Sequence, residues 1–231
     1  MRARFARSIH KKGAEMSDFD RDLNPLLRRI SNLPDGAKDL EGLYERHGIE
    51  PSKGPDELAS EICLDGGNTI CNWLFRWGKG VPYKEIVKDV AEKLGVEVSD
   101  ASSVKKMEEA ILGFVAEKYW SQLSEDEQEE VFEQVIKIDP NLKKDQLLNA
   151  MRIGGIGAMF ALRGVIGPLI RSIIAKAAGV AISARFAAMF VPGLNVILAI
   201  WTVFDFAGPA YRKTVHTVVE LGYHRLYHPD D

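Results

Sequence analysis

The stretch VPYKEIVKDVAEKLG, residues 81–95, shows the pattern from which the fold class follows. Pro82 stands at a first-turn position of a helix, where its missing N–H costs little. Apolar side chains then recur at intervals of three and four residues, and Gly95 is the residue type that most often ends a helix. The segment therefore predicts an amphipathic helix that buries one face, formed by Ile86, Val87, Val90 and Leu94.

The same helical periodicity recurs along the rest of the chain, whereas the alternation typical of strands is scarce. Ser124 and Glu127 have the spacing of a capping box at the start of one segment. We interpret Gly66-Gly67 as a break between two helices, because glycine is costly inside a helix. We predict an all-α fold with helices near residues 23–29, 37–44, 56–65, 69–77, 82–94 and 103–120, and after Ser124.

Charge divides the chain of 231 residues into two unlike parts. Residues 1–150 contain 22 Lys and Arg against 29 Asp and Glu, a net charge of −7, and residues 151–231 contain 8 against 4, a net charge of +4. An apolar, basic part suits an anionic lipid surface or an acidic protein face. The alternative is that the basic part packs against the acidic one. We predict a basic disordered extension at 1–16, an acidic helical domain at 17–140 and a hydrophobic, basic helical domain at 145–228.

Residues 186–204, FAAMFVPGLNVILAIWTVF, form an uncharged run whose length approaches the ~20 residues that cross a bilayer. Pro192-Gly193 interrupts the run, so we predict the tip of a helical hairpin in a Gly/Ala-rich unit. Small residues at four-residue spacing precede it, a pattern found in closely packed helices of membranes and of soluble cores. The tip either contacts lipid or packs on other helices. Its candidate membrane-contacting residues are Phe186, Phe190, Leu194, Ile197 and Trp201.

Asp205 is the single acidic residue between Ile153 and Val219. A carboxylate in such apolar surroundings needs a cationic partner, because an unpaired buried charge is costly. We interpret it either as half of an ion pair that anchors the final helix, or as a charge whose protonation admits the apolar unit to lipid. Pro209 predicts a kink in that helix. The anchor is predicted to comprise Asp205, Gly208, Pro209, Tyr211 and Arg212.

Four residues at intervals of four share one face of the predicted final helix: His216, Glu220, His224 and His228. Two histidines at this spacing are able to hold zinc, but the HExxH order of metalloproteases is absent. We therefore interpret the face as a solvated polar stripe and expect neither a metal nor another cofactor. Cys63 and Cys71 form no CxxC pair, and we predict that both are small buried apolar residues.

Residues 66–96, GGNTICNWLFRWGKGVPYKEIVKDVAEKLGV, resemble the YaaW-like family of uncharacterised bacterial proteins, which combines a GGNS-type turn, an aromatic helix and a YKEI segment. DFAGPAYR at 205–212 and FDRDL at 19–23 match the same family. The resemblance implies a bacterial protein without an assigned activity, distantly grouped with ubiquinol–cytochrome c chaperones. No catalytic residues follow from it. The motif residues that we single out are Gly66, Gly67, Asn68, Gly80, Tyr83, Lys84, Glu85 and Asp89.

The polar residues of this motif suggest two readings. A Gly-Gly-Asn turn is able to present free N–H groups to an anion, beside Lys84. The plainer interpretation is a structural corner between helices, because no nucleophile, base and orienting residue accompany the turn. A phosphate-binding P-loop and an aromatic, basic nucleic-acid surface are also missing from the sequence. We therefore expect neither enzymatic activity nor nucleic-acid binding.

Together these patterns predict a non-enzymatic, membrane-associating helical protein. Its predicted partner is an anionic membrane surface, at the cytoplasmic side of the inner membrane, either peripheral or inserted. The alternative is a chaperone-like assembly module whose groove receives a partner helix. A homo-oligomer is compatible with both functions.

Overall fold

The computed structural model describes residues 21–69, 80–122 and 209–227, together with single positions between 124 and 146. Every regular element in these residues is helical, which confirms the all-α fold class. A short 3-10 helix, Pro51–Lys53, precedes the third α-helix. The α-helices are α1 (Asn24–Ser31), α2 (Gly36–His47), α3 (Pro55–Thr69), α4 (Tyr83–Leu94), α5 (Val104–Gln122) and α6 (Pro209–Tyr227).

Proline and glycine set several helix boundaries, as the sequence predicts. Gly48 follows α2 and Gly95 follows α4, with left-handed φ angles of 67° and 73° that glycine adopts without steric cost. Pro82 is the N-cap residue of α4 rather than a first-turn residue. The helices predicted at 23–29, 37–44, 82–94 and 103–120 are confirmed, and their observed ends lie at most three residues away.

The prediction that Gly66-Gly67 breaks a helix is wrong, because α3 continues through both glycines. Gly66 is buried where α3 packs on α4, and a Cβ built on it would stand 2.6 Å from Ile86 Cγ1. A residue without a side chain therefore permits this close packing, which offsets the roughly 1 kcal/mol that glycine costs in a helix. Gly80 makes a second close approach, and the adjacent Val81 N–H donates to the Cys63 carbonyl at 3.0 Å.

The final helix, α6, packs against α3, α4, α5 and α1. Its apolar side chains share one core with those of the five preceding helices. This helix, which the sequence assigns to the second domain, thus completes the core of the first. The domain boundary itself stays a prediction. The core residues that α6 contributes are Val215, Val218, Val219, Leu221 and Leu226.

Three further predictions concern residues that the structure describes. Cys63 is buried as predicted. Pro209 is the first residue of α6, so the helix contains no kink at this proline within its described length. Among the described residues, none of the helices has both the length and the apolar character needed to cross a bilayer.

The remaining predictions fall outside the residues that the structure describes. They concern 1–16, 70–77, Cys71, the hairpin at 186–204 with Phe186, Phe190, Leu194, Ile197 and Trp201, the anchor residues Asp205 and Gly208, the side chains of Tyr211 and Arg212, and His228.

Replacement of Gly66 by alanine is expected to destabilise the protein through the close contact with Ile86. Overpacking of this kind costs roughly 1–3 kcal/mol, of which helix propensity returns roughly 0.5–1 kcal/mol. Gly42 inside α2 provides the matched control, because the atom nearest to a Cβ there is Glu220 Oε1 at 3.6 Å. Gly42→Ala is expected to stabilise the protein, as measured by urea unfolding. A stabilising Gly66→Ala would contradict the close approach of α3 and α4.

Candidate functional site at the buried face of α6

The buried face of α6 is unusually polar for a core helix. The prediction of a solvated stripe is wrong for His216, Glu220 and His224, because all three side chains are buried. Helices α1, α3, α4 and α5 pack against α6, and side chains at the end of α2 also contact this face. Charged groups on the face therefore require partners from these helices. Among the described residues, no group of three His, Cys, Asp or Glu is placed to hold a metal ion. The buried polar residues of α6 are Thr214, His216, Thr217, Glu220, His224 and Arg225.

An ion pair between Arg46 and Glu220 connects the last turn of α2 with the middle of α6. Arg46 Nη1 donates to Glu220 Oε2 at 2.8 Å, and both side chains are largely shielded from solvent. Burial raises the pKa of Glu220, and the adjacent Arg46 acts against that rise. Arg46 therefore supplies the positive charge that the buried Glu220 carboxylate requires.

A second set of contacts centres on Glu108, which is only 1% exposed. Tyr83 Oη donates to Glu108 Oε1 at 2.8 Å, and Arg225 Nε donates to Glu108 Oε2 at 2.6 Å. Arg225 also donates to the Asp22 carbonyl at 3.0 Å. Burial raises the pKa of Glu108, while the charge and hydrogen bond of Arg225 oppose the rise. These contacts join α4, α5 and α6 around one carboxylate.

The third set of contacts centres on His47, the last residue of α2. His47 Nδ1 lies 2.6 Å from Asp65 Oδ2 on α3, and His47 Nε2 lies 2.8 Å from Thr217 Oγ1 on α6. Lys213, one helical turn before Thr217, forms an ion pair with the same Asp65 oxygen. Burial lowers the pKa of His47 to about 4, although Asp65 acts to raise it. The imidazole is therefore neutral at pH 7.

The hydrogen-bonded order Thr217, His47, Asp65 is that of a nucleophile, a base and an orienting carboxylate. A nucleophile must reach its substrate, however, and Thr217 is 1% exposed on the buried face of α6. Its hydroxyl also lies 2.9 Å from the Lys213 carbonyl in the preceding turn. The arrangement consequently connects α2, α3 and α6 without presenting a reactive group to solvent. We call the three sets of contacts the α6 polar interface, which comprises Arg46, His47, Asp65, Tyr83, Glu108, Lys213, Thr217, Glu220 and Arg225.

The predicted motif residues do not form one site. Gly66, Gly67 and Asn68 lie within α3, so their N–H groups belong to a helix and not to an anion-binding turn. Lys84 is exposed and donates to the Asp100 carbonyl at 3.0 Å. Glu85 lies in the first turn of α4 as predicted, and both Glu85 and Asp89 are half-buried. Tyr83 alone among these residues enters the α6 polar interface.

Sequence reasoning missed most of the interface. Arg46 and His47 lie in the last turn of α2, where basic residues are ordinary favourable partners of the helix dipole. Their contacts on α6 are 170 or more residues away in sequence. Glu108 did carry a signal, because it shares a face of α5 with the buried Ile111, Leu112 and Val115. A charged residue on an apolar helical face predicts a buried partner.

A further buried acid lies next to Glu108. Both carboxyl oxygens of Glu109 are shielded from solvent and have no hydrogen-bond partner among the described residues. Burial raises the pKa of Glu109, with Lys105 acting in the opposite direction. In the described part of the chain, Glu109 does not belong to a group of three His, Cys, Asp or Glu placed to hold a metal ion.

Fold and interface together define an all-α protein whose last helix is held by buried polar contacts with helices from the first half of the chain. The chain is similar to UPF0174 proteins of Helicobacter pylori, which are uncharacterised bacterial proteins. It is 27% identical over 192 residues to a UPF0174 protein of strain J99, a match that covers 79% of this chain and 75% of the relative. A UPF0174 protein of strain 26695 is 26% identical over 196 residues, covering 79% and 93%.

No family model matches the chain, and no solved structure matches it. The similarity to these relatives is consistent with the prediction of an uncharacterised bacterial family. The YaaW-like resemblance and the distant grouping with chaperones stay predictions.

Loss of Arg225 is expected to destabilise the protein strongly, because Glu108 would remain buried without its cation. Removing one member of a buried pair costs about 3–5 kcal/mol, so Arg225→Met is expected to lower the free energy of unfolding in urea by this amount. Arg28→Met is the matched control, since the Arg28–Asp56 pair is 51% and 56% exposed and contributes little.

Neutralising Glu108 in the same chain tests the cause of that loss. Glu108→Gln combined with Arg225→Met is expected to recover part of the stability, because glutamine keeps an acceptor for Tyr83 and carries no charge. Equal losses in Arg225→Met and Arg28→Met would contradict the assignment of Glu108–Arg225 as a buried ion pair.

Proposed function

We propose that this chain is a non-enzymatic helical protein that associates with the cytoplasmic face of a bacterial inner membrane through its Gly/Ala-rich apolar segment, residues 147–208. The packing of α5 against α6 carries the proposal. Because of it, α5, which ends at Gln122, and α6, which starts at Pro209, belong to one helical body. A segment whose two ends join one helical body contacts a membrane only as a loop that enters and leaves on the same side of the bilayer.

The composition of the segment supports lipid as its partner. Residues 186–204 are uncharged, and the preceding forty residues carry cations without acids. Each Lys or Arg near an anionic bilayer contributes about 1 kcal/mol of attraction, and such residues favour the cytoplasmic side. Pro192-Gly193 suits the change of chain direction that such a loop requires. The cations in question are Arg152, Arg163, Arg171, Lys176 and Arg185.

The α6 polar interface supports the attachment of the segment at its C-terminal end. Lys213–Asp65 and His47–Thr217 fix the first turns of α6 to α3 and α2, near the point where the segment ends. Arg46–Glu220 and Glu108–Arg225 fix the helix further along. The body therefore holds α6 while the apolar segment contacts lipid. We include in the proposal a homo-oligomer formed through the same apolar segment.

Two observations support a role without catalysis or partner-helix capture. The Thr217 hydroxyl of the Thr217–His47–Asp65 arrangement is buried, which disfavours its use as a nucleophile. A groove for a partner helix needs exposed apolar surface, and Leu64 is the single large exposed apolar side chain among the described residues. The chaperone-like function thus rests on the resemblance alone.

Flotation of the purified full-length chain with vesicles tests the proposal. We expect the protein to float with vesicles that contain anionic phospholipid and to remain below vesicles of neutral phospholipid, because the segment is basic. Reversal of three cations, Arg163→Glu, Arg171→Glu and Arg185→Glu, is expected to abolish flotation. Lys38→Glu, Lys53→Glu and Lys106→Glu form the matched control on exposed positions of the helical body and are expected to float like the parent.

Washing the floated vesicles with high salt and then with carbonate distinguishes peripheral from inserted protein. Absence of flotation with anionic vesicles at low salt would overturn the proposal. Equal loss of flotation in both triple variants would assign the binding to net charge rather than to the apolar segment.

A further inference from the structure

The surroundings of His47 contain a balanced set of charges. Asp65 lies on one side of the imidazole, and the two cations that act on it are Lys213 of α6 and Arg46 of α2. Lys213 is paired with Asp65, and Arg46 is paired with Glu220. Each of the three charges that act on the neutral imidazole, Asp65, Lys213 and Arg46, therefore already has a counterion. Glu61, on the same helix as Asp65, interacts with Asp65 and Lys213 at the half-exposed edge of this cluster.

The hydrogen bonds around His47 are compatible with both protonation states of the ring. With a neutral ring, Nδ1–H donates to Asp65 and the Thr217 hydroxyl donates to Nε2. With a protonated ring, Nε2–H donates to Thr217, whose hydroxyl proton turns to the Lys213 carbonyl 2.9 Å away. No hydrogen bond is lost in this exchange.

Protonation nevertheless adds a third cation to a site in which the carboxylates of Asp65 and Glu220 are already paired with Lys213 and Arg46. Protonated His47 would face Lys213 and Arg46, while its nearest acid, Asp65, already neutralises Lys213. An uncompensated charge in a buried site costs several kcal/mol by desolvation and repulsion. Separation of α6 from α2 and α3 removes Lys213 and Thr217 from the ring and opens it to water, which relieves that cost.

We propose that the contact of α6 with α2 and α3 is a proton-sensitive docking site, in which a proton on His47 releases α6 from the helical body. The polar face of α6 makes release compatible with water, since Thr214, Thr217 and Glu220 are readily hydrated. An entirely apolar face would instead favour permanent burial or aggregation. The valines and leucines of α6 drive docking, and the cluster at His47 sets its dependence on pH.

The direction of the pH dependence follows from the two states of His47. Its pKa is about 4 in the docked state, against an ordinary value near 6.5 in water. The released state therefore binds more protons between these values, and docking weakens as the pH falls below about 6.5. Buried Glu108 and Glu220 have raised pKa values, so their protonation acts in the opposite direction and favours docking. Removal of His47 should consequently abolish or reverse the response.

Hydrogen exchange of the full-length protein, corrected for the intrinsic rate at each pH, tests the proposal. Peptides from α6, Pro209–Tyr227, are expected to open about tenfold more between pH 7.5 and pH 5.5, because one proton is linked to release. Peptides from α4, Tyr83–Leu94, provide the internal control and are expected to keep their protection. His47→Gln is expected to remove the response of α6, since glutamine is a hydrogen-bonding side chain that does not titrate.

His224→Gln is the matched control, because His224 is also buried on α6 but lies seven residues after Thr217, outside the contacts described for His47. This variant is expected to respond to pH like the parent protein. Lys213→Met is a second variant at a partly exposed position, and its response is expected to be smaller because one repelling cation is gone. The proposal is overturned if α6 and α4 lose protection together, if Lys213→Met responds as strongly as the parent, or if His224→Gln alone removes the response.

Discussion

The buried carboxylate of Glu108 is the point on which the arrangement of helices depends. A charge this far from water requires an opposite charge and further hydrogen bonds, which Arg225 and Tyr83 supply. Those two residues belong to α6 and α4, while Glu108 belongs to α5. One carboxylate thus requires three helices to meet. The apolar core lies around the contact of these three helices. It includes residues from Leu23 to Leu226.

A consequence is that helices distant in sequence depend on one another. Among the described residues, the helices of this core lie within 24–122 and 209–227. Without α6, Glu108 and Arg46 would lack their counterions, and the core would lose the side chains between Val215 and Leu226. The two ends of the chain therefore stabilise each other. The difference in net charge between residues 1–150 and 151–231 is therefore compatible with a shared core. Packing of the basic part against the acidic part was the alternative to membrane binding that the sequence left open.

Local features of the fold were predictable from the sequence, and long-range ones were not. Apolar spacing identified α4 with its stripe from Ile86 to Leu94, and Gly95 marked its end, because these signals act within one helix. Gly66 was misread because helix propensity is a local quantity, whereas the need for a glycine arises from Ile86 on another helix. His216, Glu220 and His224 were misread because a polar stripe ordinarily faces water. The partners that bury it, Arg46 among them, are distant in sequence.

The polar contacts of α6 are better explained by specificity than by stability. Replacing a buried ion pair by apolar residues is often neutral or stabilising, so three such sets of contacts are not needed merely to hold a helix. The apolar residues of α6 are largely valines, whose similar shapes would permit the helix to dock in several axial positions. Thr217, Glu220 and Arg225 meet their partners on α2 and α5 in one axial position, and a shift by one turn would leave all three unpaired. The polar face consequently selects one position for α6, and with it the point at which the apolar segment rejoins the helical body.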